Sequence, residues 1–500
     1  MGVPGRGFRG WESIVALGAG LALGWSFVDY GSWWMPWIAV APLIAIAETR
    51  ALRRAFLLGW LGGAAGIACA FVWLIHTFQV FGGFTLPVAL ALFVPPVAWM
   101  GVQIGVFTGA LAWLGPLPFA LGAPLTYAVV EFLFPTLFPW RLAHTQYRLT
   151  SLLQSGEIAG PYLLGFVMVW CNAGLVHLLR LRRIAPLAAA LGALAILVMG
   201  GEARERHIDT LRSTTPLIRV GIVQGNIGVE RKGDRAFFRR NLDEYRRLSW
   251  QIADDVALLV WPETVAQHPL RRDERLPAPD DHPFGNTPRP LIFGGLAIDD
   301  GPAGSRLYNS AFVTESGGTI TGRYDKRILM PFGEYLPLAS RFPWLQRLSP
   351  ASGHFTPGEA ATLLTTGAIR AGPLICYEDI VPDPARRAVR QGANLLVNLT
   401  NDAWYGLSAE PFQHQALALW RAIETRRDFI RATNTGLSAA ITASGVVVAE
   451  LPLFTAEARV IDVRLLEVQT FYATWGDVFA WSLVACWLAL AWRRRRTAFA

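Results

Sequence analysis

Two polar side chains stand at the ends of apolar runs, where a catalytic group could be presented. Cys376 follows the apolar run 371–375, and Glu263 comes directly after the run 256–261. Strand ends are rigid and open to solvent, so a thiol there suits nucleophilic catalysis. Taken singly, the cysteine could instead be a small buried hydrophobe, and the glutamate could cap a helix.

A thiol nucleophile needs a base, because its reference pKa of about 8.5 leaves little thiolate at neutral pH. None of the eight histidines lies in a local Cys-His signature or at a metal-ligand spacing, so no metal site is expected. Carboxylates remain as candidate bases. We expect Glu263 to emerge at the same edge of the sheet as Cys376, which would bring the two side chains together.

Lysine usage marks a third residue. Of 45 basic side chains only Lys232 and Lys326 are lysine. Lys232 lies in the polar stretch 230–234 and is expected to be a solvated charge. Lys326 has Asp325 and Arg327 beside it. A compact ammonium there could face a developing oxyanion, which a guanidinium does poorly. Chance retention of Lys326 explains this residue equally well when it is considered alone.

Residues 217–465 have normal polarity and alternate short apolar runs with polar stretches. Helices are expected at 235–253 and 411–429. Buried strands are expected at 217–224, 256–261, 291–296, 372–376, 394–399 and 438–441. This alternation predicts an α/β layered domain over 217–465.

The first part of the chain has the composition of a membrane protein. Only 15 of its 82 Asp, Glu, Lys and Arg residues precede residue 201, and residues 55–130 contain none. A bilayer span needs roughly 20 apolar residues. We therefore expect a bundle of about seven helices in 1–203 and one more span at 474–492. The seven are expected near 10–28, 33–49, 55–78, 86–112, 117–135, 161–179 and 184–200.

Arginine clusters between the apolar runs predict the orientation. Assigning alternate loops to opposite sides places residues 6–9, 50–54, 180–183 and 493–496 on one face. By the positive-inside rule both termini are then cytoplasmic and the domain at 217–465 is outside, with the first helix uncleaved. The arginines at 204–212 oppose this assignment, but long translocated domains weigh little in the rule.

Composition excludes several classes of protein. With 53% hydrophobic residues and four cysteines, disorder, collagen-like structure and a disulfide framework are excluded. The formal charge of the chain is +8. In the hydrophobic part the arginines lie in short clusters between apolar runs, a pattern that sets membrane topology, so no nucleic-acid partner is expected. No nucleotide or metal motif is present, and we expect no cofactor.

The candidate residues lie in segments that resemble the Glu-Lys-Cys triad of the nitrilase superfamily: 261–264, 322–334 and 376–378. Further segments at 223–227, 308–310, 330–337, 398–406 and 431–436 make the resemblance specific. Together with the expected helices before and after the domain, the chain resembles the bacterial apolipoprotein N-acyltransferase family over essentially its whole length.

The resemblance implies an αββα sandwich and a role for each residue. Glu263 would be the general base, Cys376 the nucleophile that forms a thioester, and Lys326 the cation facing the tetrahedral oxyanion. It also implies supporting or substrate-binding residues: Glu334, Tyr377, Glu378, Asp402 and Trp404. A salt bridge within the domain is the alternative for the two glutamates, and a packed loop for Asp402 and Trp404.

The implied reaction uses two membrane substrates. A phospholipid, with phosphatidylethanolamine as the expected donor, gives its sn-1 acyl chain, and a diacylated apolipoprotein accepts it by a ping-pong mechanism at the periplasmic side of the inner membrane. Residues 337–355 could form a lid that dips into the lipid interface, with Phe342, Trp344 and Leu345 as its apolar contacts. An ordinary packed loop is the alternative.

Two other classes of function compete with this one. A membrane-tethered nitrilase-type amidase would cleave small carbon-nitrogen bonds, although eight spans exceed what an anchor needs. A transporter would leave the triad unexplained, and its spans lack the charged residues expected along an ion path.

Overall fold

The computed structural model describes residues 10–228, 237–271, 274–275, 289–302, 304–337, 339, 341–342 and 355–499. The chain divides into two compact units. The first contains Met1–Gln79, Gly83–Glu205 and Trp475–Ala500, and the second contains Val80–Gly82 and Arg206–Thr474.

The first unit is helical. Its helices are α1 Gly10–Trp25, α2 Pro36–Ala39, α3 Ala41–Thr49, α4 Leu52–Ala70, α5 Trp73–Val80, α6 Leu86–Leu114, α7 Gly122–Leu133, α8 Thr150–Leu153, α9 Gly156–Ala159, α10 Tyr162–Leu181, α11 Ala185–Thr214 and the C-terminal helix Val478–Phe499. Helix α11 continues past Glu205, the last residue of the central segment of this unit.

Among the described residues, three helices are long and apolar enough to cross a membrane, namely α6, α10 and α11. Helices α4 and α5 pass the same test as a pair bent by 56°. The eight spans expected from the sequence are not confirmed, because several fall on shorter helices: α1 and α7 have 16 and 12 residues. A membrane-embedded helical part is nevertheless supported by composition and helix length.

The second unit is an α/β domain. Its strands are β1 Leu217–Gln224, β2 Leu258–Val260, β3 Ala266–Arg271, β4 Leu291–Gly301, β5 Gly304–Thr314, β6 Ile320–Asp325, β7 Leu364–Thr366, β8 Ile369–Ile375, β9 Leu395–Thr400, β10 Phe429–Thr433, β11 Ala439–Ile441, β12 Val447–Glu450 and β13 Glu457–Arg464. Its helices are α12 Phe238–Trp250, α13 Pro382–Arg390, α14 Glu410–Thr425 and α15 Phe471–Trp475.

The strands of the described part form two sheets. One has the order β13-β1-β2-β4-β5-β6, with β3 paired to β4, and the other has the order β12-β11-β10-β9-β8-β7. In each sheet the central strands are parallel, as in β1-β2-β4 and β8-β9-β10, and antiparallel strands complete the edges. Parallel strands buried on both faces explain the continuous apolar runs in the sequence.

The two sheets share one apolar core. Val220, Ile222 and Leu258 of the first sheet pack in the same cluster as Ile375 and Leu395 of the second. Helix α12 covers the outer face of the first sheet, where its residues Tyr245 and Leu248 join a second cluster. Helix α13 packs against β8 of the second sheet. The order of layers is therefore helix, sheet, sheet, helix.

The expected helix at 411–429 ends earlier than its apolar pattern suggests. Helix α14 stops at Thr425, Arg426 takes a left-handed conformation with φ of 52°, and Phe429 begins β10. The apolar run continues because β10 is a central strand with both faces buried, so periodicity alone does not mark the boundary.

Candidate active site

Glu263 lies just beyond β2, in a turn that fits tightly against β4. Thr264 has φ of 53°, and a Cβ atom at Gly294 would lie 2.6 Å from the Glu263 Cα and from the Pro262 carbonyl oxygen. Only glycine allows this close approach between strand and turn. The Glu263 residue is 8% exposed, so the turn holds a carboxylate in a place with little water.

Lys326 follows the last residue of β6 and is 1% exposed. Its backbone N–H donates to the Asn309 carbonyl oxygen at 2.8 Å. Its Nζ lies 2.8 Å from Glu334 Oε2 and 3.8 Å from Glu263 Oε1. The ammonium is therefore flanked by two of the carboxylates singled out in the sequence.

Asn309 connects these two carboxylates, and the sequence analysis did not single it out as a site residue. Its Nδ2 donates to Glu263 Oε1 and to Glu334 Oε1, both at 2.7 Å. Glu334 also accepts the Met330 backbone N–H at 2.8 Å. The only sequence signal for Asn309 is its place within the matching segment 308–310.

The charge of Lys326 is fixed by its neighbours. Burial lowers the pKa of this amine, but its electrostatic interactions with neighbouring groups, with Glu334 as the largest contributor, outweigh burial and raise the pKa above its usual value. The side chain is therefore a cation throughout the physiological pH range. A group of this kind can stabilise a developing negative charge and cannot serve as a general base.

Cys376 opens the short 3-10 helix Cys376–Ile380 directly after β8 and has φ of 48°. Left-handed backbone is unfavourable for a residue other than glycine and often occurs at functional sites. The side chain is partly buried. Burial and the Glu263 charge raise the pKa of the thiol well above its usual value, although Lys326 opposes this. The resting group is thus a thiol that needs a base.

The expectation that Glu263 and Cys376 emerge from one sheet is wrong. Strand β2 belongs to the first sheet and β8 to the second. The two side chains still interact, since the Glu263 charge raises the pKa of the Cys376 thiol. Face-to-face packing explains this, because the ends of strands from two layers reach the same region.

Glu378 ties the Cys376 segment to the Lys326 segment. Its Oε1 accepts the Tyr324 hydroxyl at 2.8 Å and the backbone N–H groups of Arg327 and Ile328 at 2.7 and 3.0 Å. Its Oε2 accepts the N–H of Ile375 at 2.9 Å. Burial raises the pKa of this carboxyl, while the N–H donors oppose that effect. Glu378 therefore holds the backbone of both the Cys376 segment and the Lys326 segment through hydrogen bonds.

The remaining predicted residues lie at different depths. Tyr377 and Trp404 are partly buried, whereas Asp402 is 1% exposed and faces His414. Burial, with a smaller contribution from Tyr335, raises the pKa of Tyr377 to about 12, so its hydroxyl is neutral. The supporting roles of Tyr377, Asp402 and Trp404 stay predictions.

The structure describes only part of the predicted lid. Phe342 is described and 45% exposed, whereas Trp344 and Leu345 lie outside the described residues.

One group of side chains in the described part of the chain has the spacing of a metal site. The ligand atoms of Asp402, Glu410 and His414 lie within 4.8 Å of one another, and all three residues are buried. Both ring nitrogens of His414 already face carboxylates, at 2.7 Å from Asp379 Oδ1 and 3.2 Å from Asp402 Oδ1. A metal would have to displace one of these contacts.

Comparison with known proteins gives two family matches. Residues 219–472 match the carbon-nitrogen hydrolase family, and residues 19–174 match the N-terminal domain of apolipoprotein N-acyltransferases. The yeast Nit3 crystal structure, from the nitrilase superfamily, is 18% identical, with a TM-score of 0.38 over 50% of this chain and 90% of that one.

Relatives that match nearly the whole chain are named apolipoprotein N-acyltransferase. The protein from Geobacter metallireducens is 32% identical, over 97% of this chain and 96% of its own. Those from Methylococcus capsulatus and Bdellovibrio bacteriovorus are 31% and 27% identical, over 97% and 95% of this chain and 96% and 92% of their own. The chain belongs to the apolipoprotein N-acyltransferase family.

Proposed function

We propose that this chain acylates the N-terminal amine of lipoproteins. An acyl chain from the sn-1 position of a phospholipid, with phosphatidylethanolamine as the expected donor, passes through a thioester on Cys376 to the α-amine of a diacylglyceryl-modified cysteine. The observation that carries the proposal is the buried set of thiol, carboxylate and ammonium. Lys326 Nζ lies 3.8 Å from Glu263 Oε1, and both charges act on the Cys376 thiol.

The first half-reaction forms the acyl-enzyme. Glu263 takes the proton of Cys376 as the sulfur attacks the ester carbonyl carbon, and the carbonyl oxygen becomes an oxyanion beside Lys326. The tetrahedral intermediate collapses, the C–O bond to the glycerol breaks, and Glu263 returns the proton to the leaving alkoxide. The raised pKa of the thiol explains why the base is required.

The second half-reaction transfers the acyl chain. The lipoprotein amine attacks the thioester carbonyl, a C–N bond forms and the C–S bond breaks. Glu263 accepts a proton from the amine and passes it to the departing thiolate, which restores the resting state. A covalent intermediate lets two bulky amphiphiles use one site in turn, which supports a ping-pong order.

Lys326 suits the oxyanion role because its charge does not depend on the reaction. Its ammonium is already buried and oriented by Glu334 at 2.8 Å, so little reorganisation is needed when negative charge develops. Asn309 binds both carboxylates and keeps Glu263 Oε1 oriented.

The proposal includes a membrane topology. Eight spans would place both termini in the cytoplasm and the unit that contains Cys376 on the periplasmic side of the inner membrane. The arginine clusters and the apolar helices α4, α6, α10 and α11 support this arrangement.

The test is the intact mass of the detergent-purified full chain after incubation with phosphatidylethanolamine alone. We expect one fatty-acyl addition on the wild type, removed by hydroxylamine or by a diacylated lipopeptide. Cys376→Ala should remain unmodified. Cys486→Ser, which removes an exposed cysteine elsewhere in the chain, should behave as the wild type.

A folded wild type that stays unmodified would contradict the transferase mechanism. Hydrolysis of small amides by that protein, lost in Cys376→Ala, would establish the amidase alternative instead.

A further inference from the structure

A second polar cluster lies next to the segments that carry the candidate site. Its centre is His414 in α14. The imidazole Nε2 lies 2.7 Å from Asp379 Oδ1, and Nδ1 lies 3.2 Å from Asp402 Oδ1. Glu410 Oε1 lies 3.7 Å from Nδ1, and Arg431 Nε of β10 lies 3.2 Å from Asp379 Oδ2.

All of these side chains are buried, so their charges must balance within the cluster. Burial opposes a charged imidazole, but Asp379 and Asp402 outweigh burial and raise the pKa of His414 to about 10. Burial and the nearby Asp402 raise the pKa of Glu410 well above its usual range, so this carboxyl is neutral. Two carboxylates therefore face two cations, His414 and Arg431.

This balance argues against a metal ion at Asp402, Glu410 and His414. A metal ligand must be an imidazole nitrogen with a free lone pair, whereas both ring nitrogens of His414 already face carboxylate oxygens within the cluster. A divalent cation would also lie close to the Arg431 guanidinium.

The two carboxylates belong to the two segments of the candidate site. Asp379 lies in the 3-10 helix Cys376–Ile380, three residues after Cys376. Asp402 begins the 3-10 helix Asp402–Tyr405, two residues before Trp404. His414 is thus a bridge between the segment that carries the thiol and the segment that carries Trp404.

A further contact leads back to the thiol. Strand β9 ends at Thr400, two residues before Asp402, and packs against the 3-10 helix Cys376–Ile380. Asn398 Nδ2 of this strand donates to the Cys376 carbonyl oxygen at 3.4 Å. Displacement of Asp402 would therefore alter the surroundings of Cys376 directly.

We propose that His414 is a positioning residue that holds the Cys376 and Asp402 segments together through its two ring nitrogens and thereby sets the rate of acylation of Cys376. It touches neither substrate nor the reacting atoms. The inference rests on the proposed function, since acylation is the reaction that it is expected to affect.

The test compares two variants of the same helix in the detergent-purified full chain. His414→Gln removes the bridging cation. Arg421→Gln, the control, removes another buried cation of this helix, one that pairs with Glu424 Oε1 at 2.8 Å. For each, we would measure the melting temperature, the single-turnover rate of thioester formation against phosphatidylethanolamine concentration, and the iodoacetamide alkylation rate of Cys376 relative to that in the wild type.

Misplacement of reacting groups costs up to about a hundredfold in rate, so we expect His414→Gln to slow thioester formation by about ten- to a hundredfold at saturating lipid. The lipid concentration at half-maximal rate should stay unchanged, and the relative alkylation rate of Cys376 should change. Arg421→Gln should lower the melting temperature without either effect.

Acylation by His414→Gln at the wild-type rate, or equal slowing in both variants at equal loss of melting temperature, would overturn the proposal. Stoichiometric metal bound through His414 would overturn it too. If His414→Gln does not fold, Asp379→Asn replaces it, with the same expected outcomes. If the wild type forms no thioester, the proposed function fails, and the alkylation ratio alone then decides the role of His414.

Discussion

Lys326 carries a positive charge where almost no water reaches it, and that charge persists because two carboxylates lie beside it. For Cys376 the effect is opposite, because burial and the charge of Glu263 raise the pKa of the thiol and disfavour the thiolate. The two effects are complementary. The site thus combines a buried cation with a neutral thiol, which suits the oxyanion and nucleophile roles that we propose for them.

Replacing Lys326 should abolish acylation. Removal of one oxyanion donor costs about 10²–10³ in rate, so Lys326→Ala should slow single-turnover thioester formation at least that much. Lys326→Arg should not restore the rate, because a planar guanidinium does not fit the 1% exposed site beside Glu334. Lys232→Arg, at the other lysine of the chain, should match the wild type; slowing there would point to a general loss of folding.

The Glu263→Gln variant should retain a low activity that depends on pH. The variant lacks the base, which contributes typically about 10²–10⁴ in rate. It also lacks the negative charge that raises the pKa of Cys376, so the thiolate should form at lower pH than in the wild type. We expect the rate of thioester formation by Glu263→Gln to rise steeply with pH, and that by Lys326→Ala to stay low. A flat profile for Glu263→Gln would contradict the role of general base.

At the scale of secondary structure, the ends of strands from both sheets provide the site. Glu263 follows β2, Lys326 follows β6, and Cys376 follows β8. The position of Glu263 depends on the backbone of β4, where Gly294 lets the turn approach closely. A backbone position outside the triad can therefore still control the placement of Glu263.

Gly294→Ala tests this dependence. The added Cβ would lie 2.6 Å from the Glu263 Cα, so the turn must shift, at a cost of about 1–3 kcal/mol in stability. We expect a lower melting temperature and slow thioester formation. Gly301→Ala on the same strand, where the nearest atom is 3.7 Å away, is the control and should preserve both. An active Gly294→Ala protein would show that the turn is not critical.

The cluster around His414 should make stability depend on pH. The folded pKa of about 10 exceeds the unfolded value of about 6.5, so the stabilisation is fully present below about pH 6.5 and is lost as the pH rises through 10. The difference in melting temperature between wild type and His414→Gln should shrink over that interval. A difference that grows with pH would mean that the folded state holds the imidazole neutral.

At the scale of the whole chain, a family of membrane acyltransferases combines apolar helices with an α/β domain that contains a thiol. Helices α6, α10 and α11 are long and apolar enough to cross a bilayer, and the second unit contains Cys376. The acyl donor that we propose is a membrane lipid, so the proposed function requires Cys376 to be reached from one side of the bilayer.

Labelling of spheroplasts with a membrane-impermeant maleimide tests on which side of the membrane the second unit lies. Asp254→Cys lies on an exposed turn of the second unit and should be labelled, whereas Arg183→Cys, exposed in the loop after α10, should be labelled only after permeabilisation. Because the arginine clusters set the orientation, the opposite pattern would reverse the proposed topology.

Sequence alone predicted Glu263 and Cys376 as candidate site residues together with the strands before them, because a polar residue after a buried apolar run is visible in one dimension. Lysine usage marked Lys326, but the strand before it, β6, was not predicted. Sequence also determined the apolar character of the first 200 residues. Tertiary structure decided that Glu263 and Cys376 come from two sheets, since a run of apolar residues fits a central strand of either layer. It alone also placed Asn309 between two carboxylates and His414 between two loop segments, because hydrogen bonds between residues distant in the chain leave no periodic pattern in the sequence.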